Sequence, residues 1–429
     1  MATEAGERSR TGNGSPEGRG EPQSFVWPEG DLTRMPDWVY TSEEIYRREI
    51  DRIFEGPTWN YVALETEIPK PGDFVRSSVG ETQVIVTRGV DGRVHVVHNR
   101  CSHRGAEFCR ASRGNAKTLV CPYHQWTYDL SGKLIGIPFR RGLKGQGGYP
   151  AGFKPEAHGL RALNVTTRGG AIFASFAEDM PTIEDYLGAD MLEVYDTVFN
   201  GRPLRLHGYY RNTIPGNWKL YHENLKDPYH ATLLHVYLVT FGLMRAGANS
   251  AMMVDPSGRH GAMGATRGTA PVDPNAARQM GRAFIEGLTL SDERILDFVP
   301  EFREPWTVTM QTFWPNLIIQ RELNTLGVRR IVPRGPHAFD LYWTMFGYED
   351  DDDAMTRHRL RQANLMGPSG FLGIEDSEAI EYVQDGLRRT RDGVAITELG
   401  GAEEGTAKHL ITEAAIRSMY RHWREVVGV

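Results

Sequence analysis

Hydrophobic positions divide the chain into stretches of different texture. Residues 1–24 hold almost no large apolar side chains among many Gly, Ser, Glu and Arg. No burial offsets the entropy of ordering such a stretch, so a disordered tail is expected. From Pro36 to Glu55, Trp38, Val39 and Tyr40 are followed by Ile45, Ile50 and Ile53 at near-helical spacing, which predicts a leading helix. Between Trp59 and Phe176, short β-rich runs alternate with turn signals. Gln83 to Thr87 and Val94 to Val97 flank Asp91-Gly92, while Trp126 to Leu130 and Lys133 to Ile137 flank Ser131-Gly132. Two hairpins within a small antiparallel β domain follow from this pattern.

After residue 180 the texture becomes α+β. Strands are expected at Leu204 to Arg211, Trp306 to Phe313, Leu317 to Glu322 and Leu341 to Phe346, and a helix around Trp218 to Leu234. Phe241 to about Arg282 is rich in Gly, Ala and Met without a clean period, and is read as a mobile or substrate-lining region. The acidic run Asp350 to Asp353 should cap a helix beginning at Ala354. Ile411, Ala415, Ile416, Met419, Tyr420 and Trp423 give a last helix that packs on the second domain.

Composition narrows the function. A length of 429 residues allows two or three domains, and a net charge of -6 with acids and bases intermixed gives no basic surface for nucleic acid. No apolar run approaches the roughly 20 residues that span a bilayer, and no hydrophobic signal core stands at the N-terminus, so a cytoplasmic protein is expected. The three cysteines, Cys101, Cys109 and Cys121, fall in one short segment, which suits a metal better than a disulfide framework.

Cys101-Ser102-His103-Arg104-Gly105 is followed, seventeen residues after His103, by Cys121-Pro122-Tyr123-His124. Thiolate and imidazole suit either zinc or an iron-sulfur centre. Zinc sites usually pair Cys with Cys and His with His along the chain, whereas interleaved pairs match a Rieske cluster, with two cysteines on one iron and two histidines on the other. Cys109 lies outside the pattern as an idle thiol, and His95 and His98 read as ordinary strand residues. Trp126 and Tyr123 are expected to shield the cluster from water. Further on, His230 and His235 stand five residues apart. A regular helix turns by about 140° over that interval, so both can reach one metal only across a distortion. The arrangement sought is two histidines and one carboxylate on a single face of Fe(II), leaving positions for O2 and substrate. The carboxylate must come from elsewhere in the chain.

These motifs resemble the large (alpha) subunits of Rieske non-heme iron ring-hydroxylating oxygenases. The likeness runs from about residue 37 to 425, and Cys-Pro-Tyr-His-Gln-Trp and Leu323-Asn324-Thr325-Leu326 look nearest to the anthranilate, salicylate and terephthalate branch. It implies an α+β fold, with a Rieske antiparallel β domain over 37–180 that includes the leading helix, and a helix-grip catalytic domain over 181–429. By the same likeness, Cys101, His103, Cys121 and His124 hold a 2Fe-2S cluster, and His230, His235 and Asp376 hold mononuclear iron, with Glu375 the alternative. Asp227 would bridge the two centres, accepting hydrogen bonds from His124 of a neighbouring chain and from its own His230. The resemblance further implies a trimer, alone or with a small beta subunit, and electrons from NAD(P)H through a reductase or ferredoxin. O2 would be spent in hydroxylating an aromatic ring. Arg321, Arg329 and Arg330 are candidates to bind a substrate carboxylate, although strand alternation turns only some inward and a surface salt bridge is the ordinary role of any one. A zinc-binding structural protein and a pure Rieske electron carrier are the competing classes.

Overall fold

The computed structural model describes residues 25–28, 32–244, 249–267, 285–390 and 393–429. The expected N-terminal tail and part of the Gly/Ala/Met-rich stretch lie outside these residues. Within them, the first half forms small antiparallel sheets. Val94–His98, Thr82–Arg88, Asp73–Val79 and Arg113–Asn115 make one. Leu119–Val120, Thr127–Tyr128 and Leu134–Gly136 make a second, and Asn164–Arg168, Ala171–Ser175 and Asn60–Leu64 a third. Both anticipated hairpins are present, turning at Gly92 and Gly132 in the left-handed region that glycine adopts without strain.

The second half is built on a seven-stranded antiparallel sheet. Its order is Leu204–Ile214, Phe339–Tyr348, Thr325–Pro333, Leu317–Glu322, Val308–Phe313, Gly261–Ala265 and Ser250–Val254. Both faces are covered. On one, Ile318, Ile331 and Met310 pack with Trp218, Tyr221 and Leu225 of the helix Trp218–Lys226. On the other, Leu317, Ile319 and Val328 pack with Tyr186, Met191 and Tyr195, and with Tyr61 and Phe173 of the β domain. Double coverage explains two departures from the sequence reading. Two strands form within the stretch that showed no period: Gly261–Ala265, buried on both sides and so without a polar face to reveal it, and its edge partner Ser250–Val254, whose side chains are nearly all apolar. For the same reason Arg321, Arg329 and Arg330 are all buried, and none makes a surface salt bridge.

The leading helix breaks at Ser42 into Trp38–Thr41 and Glu43–Glu49, and a π-helical turn, Ile50–Phe54, follows. Although it precedes the β domain in the chain, it packs in the core of the catalytic domain: Ile45, Ile53 and Phe54 join Trp218, Tyr420 and Trp423. Glu49 fixes this junction. Fully buried, it pairs with Lys219 at 2.6 Å and accepts from the indoles of Trp218 and Trp423 at 2.8 and 2.7 Å. A buried charge with that many partners holds elements in register, and losing one partner would strand the rest. The C-terminal helix is Ala414–Val427, and Asp352 caps the helix Asp353–Met366 by accepting from the Met355 amide. Among the described residues, no helix is long and apolar enough to cross a membrane.

Candidate metal centres

The two Cys-His loops of the β domain are built alike. In each, the amide four residues after the cysteine donates to the cysteine carbonyl, Gly105 to Cys101 and Gln125 to Cys121, both at 2.9 Å. Each cysteine amide in turn donates to the carbonyl five residues on, Ala106 and Trp126, again at 2.9 Å. The turns close through left-handed residues, Gly105 at φ 71° and Gln125 at φ 55°. The thiols are buried, and Cys101 Sγ lies 3.2 Å from the Tyr128 hydroxyl. The His103 and His124 rings meet at 4.6 Å, and Trp126 stacks on His103 at 4.9 Å. The Nδ1 atoms of both histidines are buried and have no hydrogen-bond partner. Orphaned imidazole nitrogens cost free energy unless something else binds them, and two thiols and two free nitrogens on paired loops fit a 2Fe-2S cluster.

Trp126 covers this tip from within, and Tyr123, 60 % exposed, lays its ring 3.8 Å from that of His124 on the outer side. Cys109 is half-buried; its amide donates to the Asn99 side chain, and burial pushes the thiol upward. His95 and His98 sit in the strand Val94–His98, paired with Thr87 and Val84.

The iron-type site is assembled from distant elements. Asn217 caps the helix Trp218–Lys226, accepting from the Lys219 amide, and the helix stops at Asp227 because Pro228 follows. A short helix, Ala231–Leu234, ends at His235, whose φ of -83° and ψ of 93° are extended. These interruptions let His230 and His235 face the same point despite their spacing. The opposing helix, Phe371–Arg389, starts at Gly370, where a Cβ would fall 1.8 Å from the Leu365 carbonyl oxygen, so only glycine fits.

Asp376 lies on the buried stripe of that helix with Leu372 and Ile380. Its Oδ1 is 3.5 Å from His230 Nε2 and 3.3 Å from His235 Nε2. All three ligand atoms lie within 4.8 Å of one another. Donors about 2.1 Å from one ion and at right angles stand about 3 Å apart, so a metal fits here with little movement. Glu375 sits elsewhere: its Oε2 accepts from His235 Nδ1 at 2.8 Å. Of the two acids left open by the sequence, Asp376 converges with the imidazoles, while Glu375 orients one from behind. Asn224, which sequence reasoning did not single out, donates to Asp376 Oδ1 at 3.0 Å.

Asp227 departs from expectation. It is the backbone carbonyl of Asp227 that accepts from His230 Nδ1, while carboxylate Oδ2 is 3.6 Å from that nitrogen and Oδ1 accepts from the Tyr229 amide at 3.2 Å. The carbonyl lies within reach because the helix has just ended, so the carboxylate stays partly open to solvent.

The electrostatics favour a cation. Burial opposes a charged imidazolium at His230, yet the carboxylates of Asp227 and Asp376 outweigh it and hold the ring up at about 10. Burial likewise opposes ionisation of Asp376, but His235 and His230 hold it far below the usual carboxylate range. A dication binding here would replace those protons.

A cavity of about 40 Å³ adjoins the three groups, with Leu225, Leu238, Met263, Val308 and Met310 in its walls and Glu322 and Arg329 at its polar end. The Nε and Nη2 of Arg329 donate to Gln320 Oε1 at 3.0 and 2.7 Å, and its Nη1 to the Tyr221 hydroxyl at 2.6 Å. Trp343 lies 4.0 Å beneath the guanidinium. Gln320 also donates to Glu322, whose carboxyl is pushed up by burial against the pull of Arg329. Arg321 and Arg330 point to the opposite face of the sheet. Arg321 meets Glu304 at 2.9 Å, and Arg330 donates to the Val62 carbonyl at 3.2 Å.

Comparison with known proteins agrees with this layout. Residues 58–146 match the Rieske [2Fe-2S] domain, and residues 194–428 match the ring hydroxylating alpha subunit (catalytic domain). The chain is 48 % identical to the large oxygenase component of salicylate 5-hydroxylase from Ralstonia sp., covering 95 % of this chain and 97 % of that one. It is 43 % identical to the anthranilate 1,2-dioxygenase large subunit of Burkholderia cepacia, covering 96 % and 97 %. The fold is similar to that of naphthalene 1,2-dioxygenase from Rhodococcus sp. bound to indole, with a TM-score of 0.76 and 26 % identity over 92 % of this chain and 94 % of that one. A Rieske domain that binds a 2Fe-2S cluster thus precedes a catalytic domain that binds mononuclear iron, and the chain belongs to the alpha subunits of the ring-hydroxylating oxygenases.

Proposed function

We propose that the protein hydroxylates an aromatic carboxylate, with His230, His235 and Asp376 holding the mononuclear iron and Arg329 anchoring the substrate's acid group. The observation that carries this reading is the side of the sheet on which Arg329 stands. Of the three arginines considered, it alone lines the cavity beside the triad. Three of its N–H groups are engaged by Gln320 and Tyr221, and a guanidinium has five, which leaves two for a carboxylate. The similarity to salicylate and anthranilate enzymes supports the same substrate class.

Iron supplies O2 activation and the cluster supplies electrons one at a time. The chain's own residues do the rest. Cys101 and Cys121 would hold one iron of the cluster and His103 and His124 the other. At the mononuclear site, the Asp227 carbonyl and Glu375 fix the rings of His230 and His235 through Nδ1, directing Nε2 inward. Asn224 fixes the Asp376 oxygen. The apolar walls keep water from the ring while Arg329 sets which carbon faces the metal. Electrons come from a reductase or ferredoxin, ultimately from NAD(P)H, in a cytoplasmic trimer with or without a small subunit. In that trimer, the half-open Asp227 carboxylate would meet His124 of the neighbouring chain.

Turnover of paired acids and neutral analogues with labelled O2 tests the reading. Arg329→Met should lower kcat/KM for the acid about tenfold or more and leave a neutral analogue within a few-fold. Equal activity of the unaltered enzyme on acids and hydrocarbons would reject the carboxylate and leave ring hydroxylation of a neutral aromatic.

A further inference from the structure

On the sheet face turned away from the triad, the cleft between the two domains carries positive charge that its own walls do not neutralise. It holds about 290 Å³, with Tyr209, Arg211, Arg330 and Tyr342 of the catalytic sheet on one side and Tyr61 and Arg113 of the β domain on the other. Arg76 also lines it, so four guanidinium groups face a single carboxylate, Glu67. That carboxylate is engaged: it accepts from the Tyr209 hydroxyl at 2.8 Å and from the Leu64 amide at 2.7 Å. Arg211 pairs with Asp340 at 2.9 Å, and Arg76 lies 3.5 Å from Glu107.

Arg330 is different. It is 8 % exposed and spends one N–H on the Val62 carbonyl. Other buried arginines each face a carboxylate or several carbonyls: Arg359 meets Glu301 and Asp351, Arg417 donates to the carbonyls of Thr397, Leu399 and Glu403, and Arg321 lies 2.9 Å from Glu304, although its Nη1 and Nη2 make no hydrogen bond. Among the described residues Arg330 meets no carboxylate within ion-pair distance, and burial in that setting weakens its hold on its proton. Holding a buried guanidinium without a facing carboxylate is costly unless an anion completes it. Beside it, Tyr61 is 3 % exposed, and its buried hydroxyl, with Thr344 nearby, makes no hydrogen bond of good geometry. Arg113, on the facing wall, stacks 4.2 Å above the Tyr209 ring, and Arg330 lies 5.0 Å from the Tyr342 ring.

We propose that this interdomain cleft is a second ligand site, separate from the iron cavity, that takes a small planar organic anion of the aromatic carboxylate class. Arg330 and Arg113 supply charge from opposite walls, the Tyr61 hydroxyl completes a carboxylate's hydrogen bonds, and the faces of Tyr209 and Tyr342 receive the ring. A ligand so placed joins the Rieske and catalytic domains and raises the melting temperature, because it binds only when both walls are folded.

The test is calorimetric titration of the iron- and cluster-loaded enzyme with benzoate and, separately, with inorganic phosphate. Benzoate should bind a site whose affinity falls tenfold or more in Arg330→Met and several-fold in Arg113→Gln and Tyr61→Phe, and which persists in Arg329→Met. Tyr61→Phe removes only a hydroxyl and Arg113 is exposed, so these two variants report even if Arg330→Met does not fold. Unchanged benzoate affinity in both would overturn the proposal. So would loss of all binding in Arg329→Met alone, which would place the ligand in the iron cavity. Phosphate binding as tightly as benzoate would refute the planar class, and a carboxylate of a second copy found against Arg330 in the assembled enzyme would refute the site.

Discussion

The two metal centres use their histidines in opposite ways. In the β domain, Nδ1 of His103 and of His124 is buried without a partner. In the catalytic domain, both Nδ1 atoms are engaged, by the Asp227 carbonyl and by Glu375, and Nε2 is the atom turned toward the shared carboxylate. Which nitrogen faces a metal is set by the bond the other one makes. On the proposed assignment, the cluster is held through Nδ1 on two short, similar loops, and the mononuclear iron through Nε2 on rings braced from behind. Charge follows the same division. Burial, with His124 and Arg104 nearby, lowers His103, while the carboxylates around His230 raise it.

If the centres are separately built, each should be removable without the other. The largest effect is expected from Cys121→Ser, which takes a thiolate from a four-ligand cluster. Cluster absorbance and turnover should vanish while bound mononuclear iron, counted with a chelator, stays near one per chain. Asp376→Ala should do the reverse, stripping the iron and sparing the cluster spectrum. In that comparison Glu375→Ala, which removes a bracing group, should weaken iron affinity only about 10- to 100-fold. If Glu375→Ala strips the metal and Asp376→Ala keeps it, the triad is misassigned. Asp227→Asn probes the link between the centres. The bond to His230 comes from the backbone, so iron content should be normal, while electron transfer from reduced cluster to iron falls by about 10- to 100-fold in single turnover. An unaltered rate would mean that the carboxylate is merely structural.

The same contrast explains what could be read from the sequence. The proposed cluster ligands, Cys101, His103, Cys121 and His124, lie in two contiguous loops whose spacing is itself the signature and is legible in the sequence. The triad draws on separate segments, and five-residue spacing in a regular helix opposes a shared metal; the helix end at Leu234 and the extended backbone of His235 supply the distortion. The choice between Glu375 and Asp376 could have been made from helix phase, because Asp376 falls in step with Leu372 and Ile380 and Glu375 does not. The arginines were harder. Alternation separates Arg329 from Arg330, but no residue pattern tells which buried face of a doubly covered sheet carries the iron. Asn224, Gln320 and Tyr221 matter only through partners distant in the chain, so nothing local marks them.

The smallest effect expected is a dependence of iron uptake on pH that the cluster does not share. In metal-free protein, His230 is held at about 10 against an ordinary value of 6.5. A raised value means that the proton stabilises the folded state: the contribution is full below about 6.5 and is lost as the pH rises through about 10. His235 is raised as well, once the pull of Asp376 exceeds the cost of burial. Iron must displace these protons, so between pH 6 and 8 its affinity should rise about tenfold per pH unit for each proton released. His103 is shifted the other way, by burial with His124 and Arg104 nearby. Anaerobic Fe(II) titrations of protein that retains its cluster, run at several pH values, give the slope directly. A slope near zero would mean that the triad histidines are neutral before the metal arrives, and that the carboxylates around them are compensated by groups outside the site.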